Sequence, residues 1–297
     1  MKKSAILAAA VASLMVGAVQ ADTTMYGKAR IFLELGTEKA APGGVDDRIQ
    51  VSSYSSRIGW KGSEDLGNGM SAVYQFEVAY NADGDNTAAP FSTRVGYGGI
   101  KGDFGQVAIG QQWTPSYVLV RGKHDPMNTT AGGNVYGGGF PAATRVGNTI
   151  SYINSFGDVK LAVAIVSANS DTLNDAIDAA ISIPAGPVTV GVALAQQDAA
   201  GTTSPTALDL GWASGALSAN LGLFMTDVNG ADDWMSVVVK FKTDGGQITA
   251  QLEDNGTDNQ INAAYTHKLS KKTSIMAEIS SGDVAADETN VGIHINF

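Results

Sequence analysis

The chain has 297 residues and no cysteine; its 19 Lys plus Arg against 29 Asp plus Glu give a formal charge of −10, at a mean hydropathy of +0.00. This acidic balance, with no basic stripe, argues against a nucleic-acid partner. The lack of cysteine removes disulfides, thiolate metal sites and a cysteine nucleophile, so stability must come from hydrogen bonding and burial.

Residues 1–21 read as a secretory signal peptide. Lys2 and Lys3 start it, Ala5 to Ala18 form an apolar run too short to span a bilayer, and Val19-Gln20-Ala21 offers a small-residue cleavage site before Asp22. Without it 276 residues remain, with 17 Lys plus Arg against 29 acids and a charge of −12. An exported chain lacking a long apolar helix can still span a membrane as a closed β-barrel, because such a barrel satisfies every backbone group in lipid. Neutral hydropathy suits that case, since half of each strand faces lipid and half faces water.

In chain order, strands are expected at 24–35, 48–61, 70–80, 92–101, 106–112 and 145–154. Alternating apolar residues then mark Val159 to Ile165, a weaker strand at 176–183, and Val188 to Leu194, Leu208 to Trp212 and Leu217 to Met225. Met235 to Phe241, Ile248 to Leu252, Ile261 to Tyr265, Ile275 to Ile279 and Val291 to Phe297 complete sixteen, each near the roughly 9–11 residues of a tilted spanning strand.

The links between them alternate in length. Tight, turn-rich links such as Gly102-Asp103-Phe104-Gly105, Phe156-Gly157-Asp158 and Thr243-Asp244-Gly245-Gly246 alternate with longer polar loops near 36–47, 81–91, 113–144, 170–175, 198–205, 227–233, 254–259 and 282–288. This is the meander of an outer-membrane barrel, in which the last strand pairs with the first. Trp60, Tyr74, Tyr97, Tyr152, Trp212, Tyr265 and Phe297 are expected in the aromatic girdles. A secreted β-protein with a buried last strand is the bland alternative.

The stretch Ser56-Arg57-Ile58-Gly59-Trp60-Lys61-Gly62-Ser63-Glu64-Asp65-Leu66-Gly67-Asn68-Gly69, continuing as Ala72-Val73-Tyr74-Gln75-Phe76-Glu77, resembles the trimeric general porins of Gram-negative bacteria, of the neisserial and β-proteobacterial type. Met25 to Lys28, Gly102 to Gly110, Arg145 to Tyr152 and the terminal Phe297 extend the likeness. It is strongest between residues 23 and 152, and beyond that it is one of pattern and length. The resemblance implies an all-β, transmembrane antiparallel β-barrel of about 16 strands at 22–297, with a long third loop, about 113–144, folded into the lumen as a constriction. It implies a water-filled channel for passive diffusion of ions and small hydrophilic solutes, a homotrimer, and contact with outer-membrane lipid and lipopolysaccharide. Two departures stand out: Gln111 occupies a position where the family often has Arg, and the second half is short.

Strand parity proposes the channel wall. With Ala29, Ile31 and Leu33 toward lipid, Lys28, Arg30 and Glu34 face inward; with Ile58 and Trp60 outward, Arg57 and Lys61 face inward. Arg94, opposite in parity to Val95 and Tyr97, joins them, as does Arg145. Glu77 is a further lining or pairing group, and the loop contributes Arg121, Lys123 and Asp125. Guanidinium groups facing Asp125 across the pore would set a transverse field, as rings of charge do in selective pores. The plainer alternative is that these arginines pair with Glu34 and Glu77 to hold the wall.

Asp46, Asp47, Asp83, Asp85, Asp175, Asp198, Asp233, Asp254, Asp287, Glu288 and others fall in or beside the long loops, so a negative outer mouth and a weak net cation preference are expected. No cofactor, metal or catalytic site is expected: His124, His267 and His294 lie on separate segments, without a G-x-S-x-G elbow, zinc spacing or P-loop. The His124-Asp125 pair is the one catalytic arrangement the sequence could suggest. The competing functions are an adhesin or binding protein acting through the acidic loops, and a solute-specific porin.

Overall fold

The computed structural model describes residues 22–37, 48–84, 91–129, 143–167, 175–197, 206–225, 233–257, 259–282 and 287–297. The expected signal peptide and loop residues 130–142 lie outside them. The strands are β1 (Asp22–Thr37), β2 (Arg48–Ser53), β3 (Arg57–Gly67), β4 (Met70–Tyr80), β5 (Phe91–Gly102), β6 (Gly105–Trp113), β7 (Arg145–Phe156), β8 (Val159–Val166) and β9 (Ala176–Ala185). They continue as β10 (Val188–Gln197), β11 (Thr206–Ser214), β12 (Leu217–Met225), β13 (Trp234–Thr243), β14 (Gly246–Asp254), β15 (Asn259–Lys268), β16 (Thr273–Gly282) and β17 (Asp287–Asn296). Between β6 and β7 lie a short helix α1 (Pro115–Leu119) and a 3₁₀ turn, Arg121–His124.

All strands form one antiparallel sheet, and it closes. β1 pairs with β17 from Lys28↔Asn296 to Thr37↔Asp287, and the backbones of Gly27 and Phe297 exchange two hydrogen bonds of 3.1 Å. The other edge of β1 is shared: β2 pairs with its second half and β3 with its first. β2 and β3 are thus two halves of one crossing strand, broken at Tyr54-Ser55-Ser56, and the barrel has sixteen spanning strands.

The break has a local cause. Ser55 adopts φ 54° and the chain leaves the ladder. Ser56 Oγ then serves the backbone of Arg30 in its place, accepting from its N–H at 2.9 Å and donating to its carbonyl at 3.2 Å.

The two faces invert the pattern of a soluble protein. Apolar side chains of one parity stand exposed, Ile109 at 62% and Ile261 at 60%, while Asp178, Asp209, Asn262 and Asn290 of the other parity are at 0%. Lipid outside and a polar interior account for both. Among the described residues no helix is long and apolar enough to cross a membrane; the crossing is made by strands.

Parity fails at one point that matters. On β5, Glu77 pairs with Val95 and Val78 with Thr93, so Arg94 is an extra residue in a β-bulge. Val95, 1% exposed, lies opposite the inward Glu77, and Tyr97 opposite the inward Gln75, whose Oε1 its hydroxyl reaches at 3.4 Å. The expectation that Val95 and Tyr97 face lipid is therefore corrected, and Tyr97 belongs to no girdle. Arg94 reaches the interior because the bulge turns it there. Gln111, at the family's frequent arginine position, donates to the carbonyls of Thr93 and Arg94 at 3.2 Å each and secures the bulge.

Candidate functional site: a charged neck inside the barrel

After β6 the chain runs along the inner wall through residues 115–129. Leu119 and Val120 pack on Ala162, Ala180, Ala193 and Ala207 and on Phe224. Alanines at the inward positions of β8 to β11 leave the width that α1 occupies.

Three wall carboxylates fix the segment. Asp178 on β9 accepts from the Ser116 N–H at 2.7 Å and the Ser116 hydroxyl at 2.6 Å. Asp209 on β11 receives Lys123 Nζ at 2.6 Å, contacts His124 Nε2 at 2.9 Å, and accepts from Asn220 at 2.8 Å. Glu278 on β16 accepts the N–H groups of Asn128 and Thr129, each at 3.0 Å, together with both of their side chains. A carboxylate within a spanning strand is expensive unless paired, and each of these is met by donors from the segment.

Opposite this segment stands a basic wall. Arg94 Nε lies 2.7 Å from Glu77 Oε1, and Arg57 lies 3.7 Å from the same oxygen. Tyr26 donates to the other Glu77 oxygen at 2.9 Å. Trp113 stacks on Tyr117 at 4.9 Å and 14°, with Arg145 4.6 Å and Arg94 5.7 Å from its ring, close enough for cation–π attraction. Tyr117 in turn donates to Asp125 at 2.7 Å. An aromatic bridge thus links the arginines to the loop's acid.

A cavity of about 700 Å³ lies between these groups, lined by Arg30, Arg57, Arg94 and Arg145 on one side and by Asp125 to Thr129 on the other. A second of about 380 Å³ adjoins it at Lys28, Arg57, Glu77 and Trp113. Asp125 lies outside the spanning strands, and burial pushes its carboxyl up to about 6, against the pull of the Tyr117 hydrogen bond and of Arg30, Lys240 and Arg145.

Of the residues expected at the channel, Lys28, Arg30, Arg57, Glu77, Arg94, Asp125 and Arg145 come together at these cavities. Three do not. Lys123 is held by Asp209, Arg121 is packed near Asp178, and Lys61 sits toward the tight-turn end, 5.5 Å from the Tyr26 ring. Nor do His124 and Asp125 form a pair, since His124 turns to Asp209 and Asp125 to Tyr117. Asp178, Asp209, Glu278, Trp113 and Tyr117 are the residues that sequence reasoning missed, with Tyr54, which also lines the larger cavity. The available signal was a lone carboxylate at an inward position between apolar neighbours, as in Leu208-Asp209-Leu210 and Ala277-Glu278-Ile279.

Comparison with known proteins bears on the same architecture. The profile described as Gram-negative porin matches residues 5–287, nearly the whole chain. The chain belongs to the Gram-negative porin family. A porin of this family is an outer-membrane protein, and its family points to a channel rather than an enzyme. Similar curated proteins include the major outer membrane protein P.IB of Neisseria gonorrhoeae, 34% identical over 119 residues, covering 39% of this porin and 33% of that protein. The same protein of Neisseria meningitidis serogroup B is 36% identical over 115 residues, 37% and 34% of the two chains. The match thus spans about a third of the length of these relatives. Among solved structures, the anion-selective porin from Comamonas acidovorans has TM-score 0.74 at 21% identity, covering 94% of this porin and 100% of that chain. OmpF of Salmonella typhi has TM-score 0.76 at 15% identity, covering 93% and 97%. At these identities the likeness is one of fold.

Proposed function

We propose that this porin is a water-filled channel for passive diffusion of ions and small hydrophilic solutes across the outer membrane, its residues 22–297 forming one barrel and residues 113–144 its constriction. The observation that carries this is the cavity between Arg30, Arg57, Arg94 and Arg145 and the loop's Asp125 to Thr129. A wall-to-loop space bounded by opposite charges is a filter, because a focused field weighs ions by sign where the path is narrow.

Charge at the neck favours anions. Arg30, Arg57, Arg94 and Arg145 supply four cations there, with Lys28 beside them, against two carboxylates, Glu77 and Asp125, and Glu77 already engages Arg94 and Arg57. The sequence expectation of a weak cation preference, drawn from the loop acids, yields to this because the neck is where ions pass closest to fixed charge. A homotrimer seated in lipid and lipopolysaccharide fits the family.

The test is insertion of the refolded protein into a planar bilayer, with single-channel conductance and the reversal potential recorded in a KCl gradient. Repeated open steps with a reversal toward the chloride equilibrium potential are expected. Silence from a folded, inserted barrel would remove the channel function and leave binding through the loops.

A further inference from the structure

Charge at the tight-turn end of the barrel is arranged in a way that the neck does not require. Lys61 follows the outward Trp60, Lys101 the outward Ile100, and Lys242 the outward Phe241, while Lys160 and Lys268 share inward parity with the buried Ala162 and Ala264. Register agrees: Lys61 lies opposite Gln75, Lys101 opposite Gln106, Lys160 opposite Ser182, Lys242 opposite Gln247 and Lys268 opposite Ser274. All five are exposed, and none joins an ion pair among the described residues. Among the described residues, the acids of that parity and end are Asp22 and Asp65, opposite Ser63 and Ser71. The turns themselves nearly balance, with Asp103, Asp158 and Asp244 against Lys271 and Lys272.

The loop end is opposite in sign. Among the described residues, Asp83, Asp175, Asp233, Asp254, Asp287 and Glu288 stand at or just beyond strand ends there, against Arg48 and Arg145, the first residue of β7. Lysines serving lipid headgroups would need outward parity, which these five lack. From Arg57 to Lys61 the strand advances roughly 13 Å, beyond the screening length of about 10 Å at 0.1 M salt, so the lysines act apart from the arginine neck.

We propose that Lys61, Lys101, Lys160, Lys242 and Lys268 form a second charge filter at the turn-side mouth, and that with the acidic loop end they make conduction asymmetric. This rests on the channel function above. With the loop side positive, cations enter through the acidic mouth and anions through the basic one, so both carriers accumulate; the reverse polarity depletes both. Current is larger with the loop side positive. The effect is strong in dilute salt and fades near 1 M, where screening falls to about 3 Å.

The test is current at equal and opposite voltages through single channels in 0.1 M and in 1 M KCl. Orientation is assigned with Ala216→Cys, a turn-side label in a chain without cysteine, reached from one chamber by an impermeant thiol reagent. A ratio of about two is expected in dilute salt, in the stated polarity, and about one in concentrated salt. Replacing the five lysines with Gln should bring the dilute-salt ratio toward one while open steps persist. The pairs K101Q/K160Q and K242Q/K268Q should each remove part of it, and they serve if the fivefold variant does not fold. Equal currents in dilute salt, the reverse polarity, or an unchanged ratio in conducting lysine variants would overturn the filter. A folded, inserted barrel that passes no current overturns the channel itself, a distinct result.

Discussion

Asp209 and His124, 85 residues apart in sequence, meet at 2.9 Å in the barrel interior, and neither is exposed. Lys123 and Asn220 complete the ring of donors on Asp209, so this carboxylate ties the inner segment to the wall at its midpoint. Asp209→Ala leaves Lys123 and His124 without their acceptor, a loss of about 3–5 kcal/mol by analogy with other buried pairs. The ladder on either side is unchanged, so the segment should detach while the barrel survives. Single-channel records should show larger, noisier openings from a protein that keeps its heat-shifted gel mobility. Quiet openings of wild-type size would show that Asp209 holds nothing in place.

Gly222 makes that meeting possible. A Cβ built there lies 2.7 Å from His124 Cε1 and 2.7 Å from the Phe224 ring, so any side chain pushes the imidazole away from Asp209. Gly222→Val should cost about 1–3 kcal/mol as an overpacked site and reproduce the noise of Asp209→Ala. Because both changes break one contact, the double variant should be little worse than either alone. Full additivity in thermal midpoints would mean that the two residues act separately.

Much of this molecule was legible because a barrel writes its two environments into alternate residues. The strand over Leu217 to Met225 and the closing strand over Val291 to Phe297 could be placed from period alone, and the weak segment at 176–183 is the full strand β9. Arg94 was placed inside by an argument that fails, since a bulge is a backbone event that shifts parity without marking the sequence. Lys123 looked like a pore cation because nothing local shows that Asp209, on a distant strand, would engage it. The anchors Asp178, Asp209 and Glu278 stayed hidden for the same reason: their partners come from 62, 85 and 150 residues away.

Arg94 and Glu77 offer a test of which charges at the neck remain available to ions. Their contact is 2.7 Å, with both side chains nearly buried, so most of each charge is spent on the other. Arg94→Gln should lower anion preference and the thermal midpoint together, since Glu77 is left with Arg57 at 3.7 Å and the Tyr26 hydroxyl. Glu77→Gln should raise anion preference by freeing two arginines. The double variant should return the reversal potential close to wild type. A double variant that keeps the shift of Arg94→Gln would instead assign the guanidinium a direct role with permeating ions.

Asp125 makes the neck pH-dependent, and its direction follows from burial. Its carboxyl lies at about 6, so it is charged at pH 7.5 and mostly neutral at pH 5. Acidification therefore removes a negative charge facing Arg30 and Arg145, while the arginines keep theirs. Anion preference should rise as pH falls through 6, read as a shift of the reversal potential toward the chloride limit. Asp125→Asn holds the neutral state at every pH: at pH 7.5 it should exceed the wild type in anion preference and lose the step near 6. Tyr117→Phe removes a hydrogen bond that holds the charged form, so it should move the step to higher pH. If the step persists in Asp125→Asn, another group titrates at the neck and the assignment to Asp125 fails.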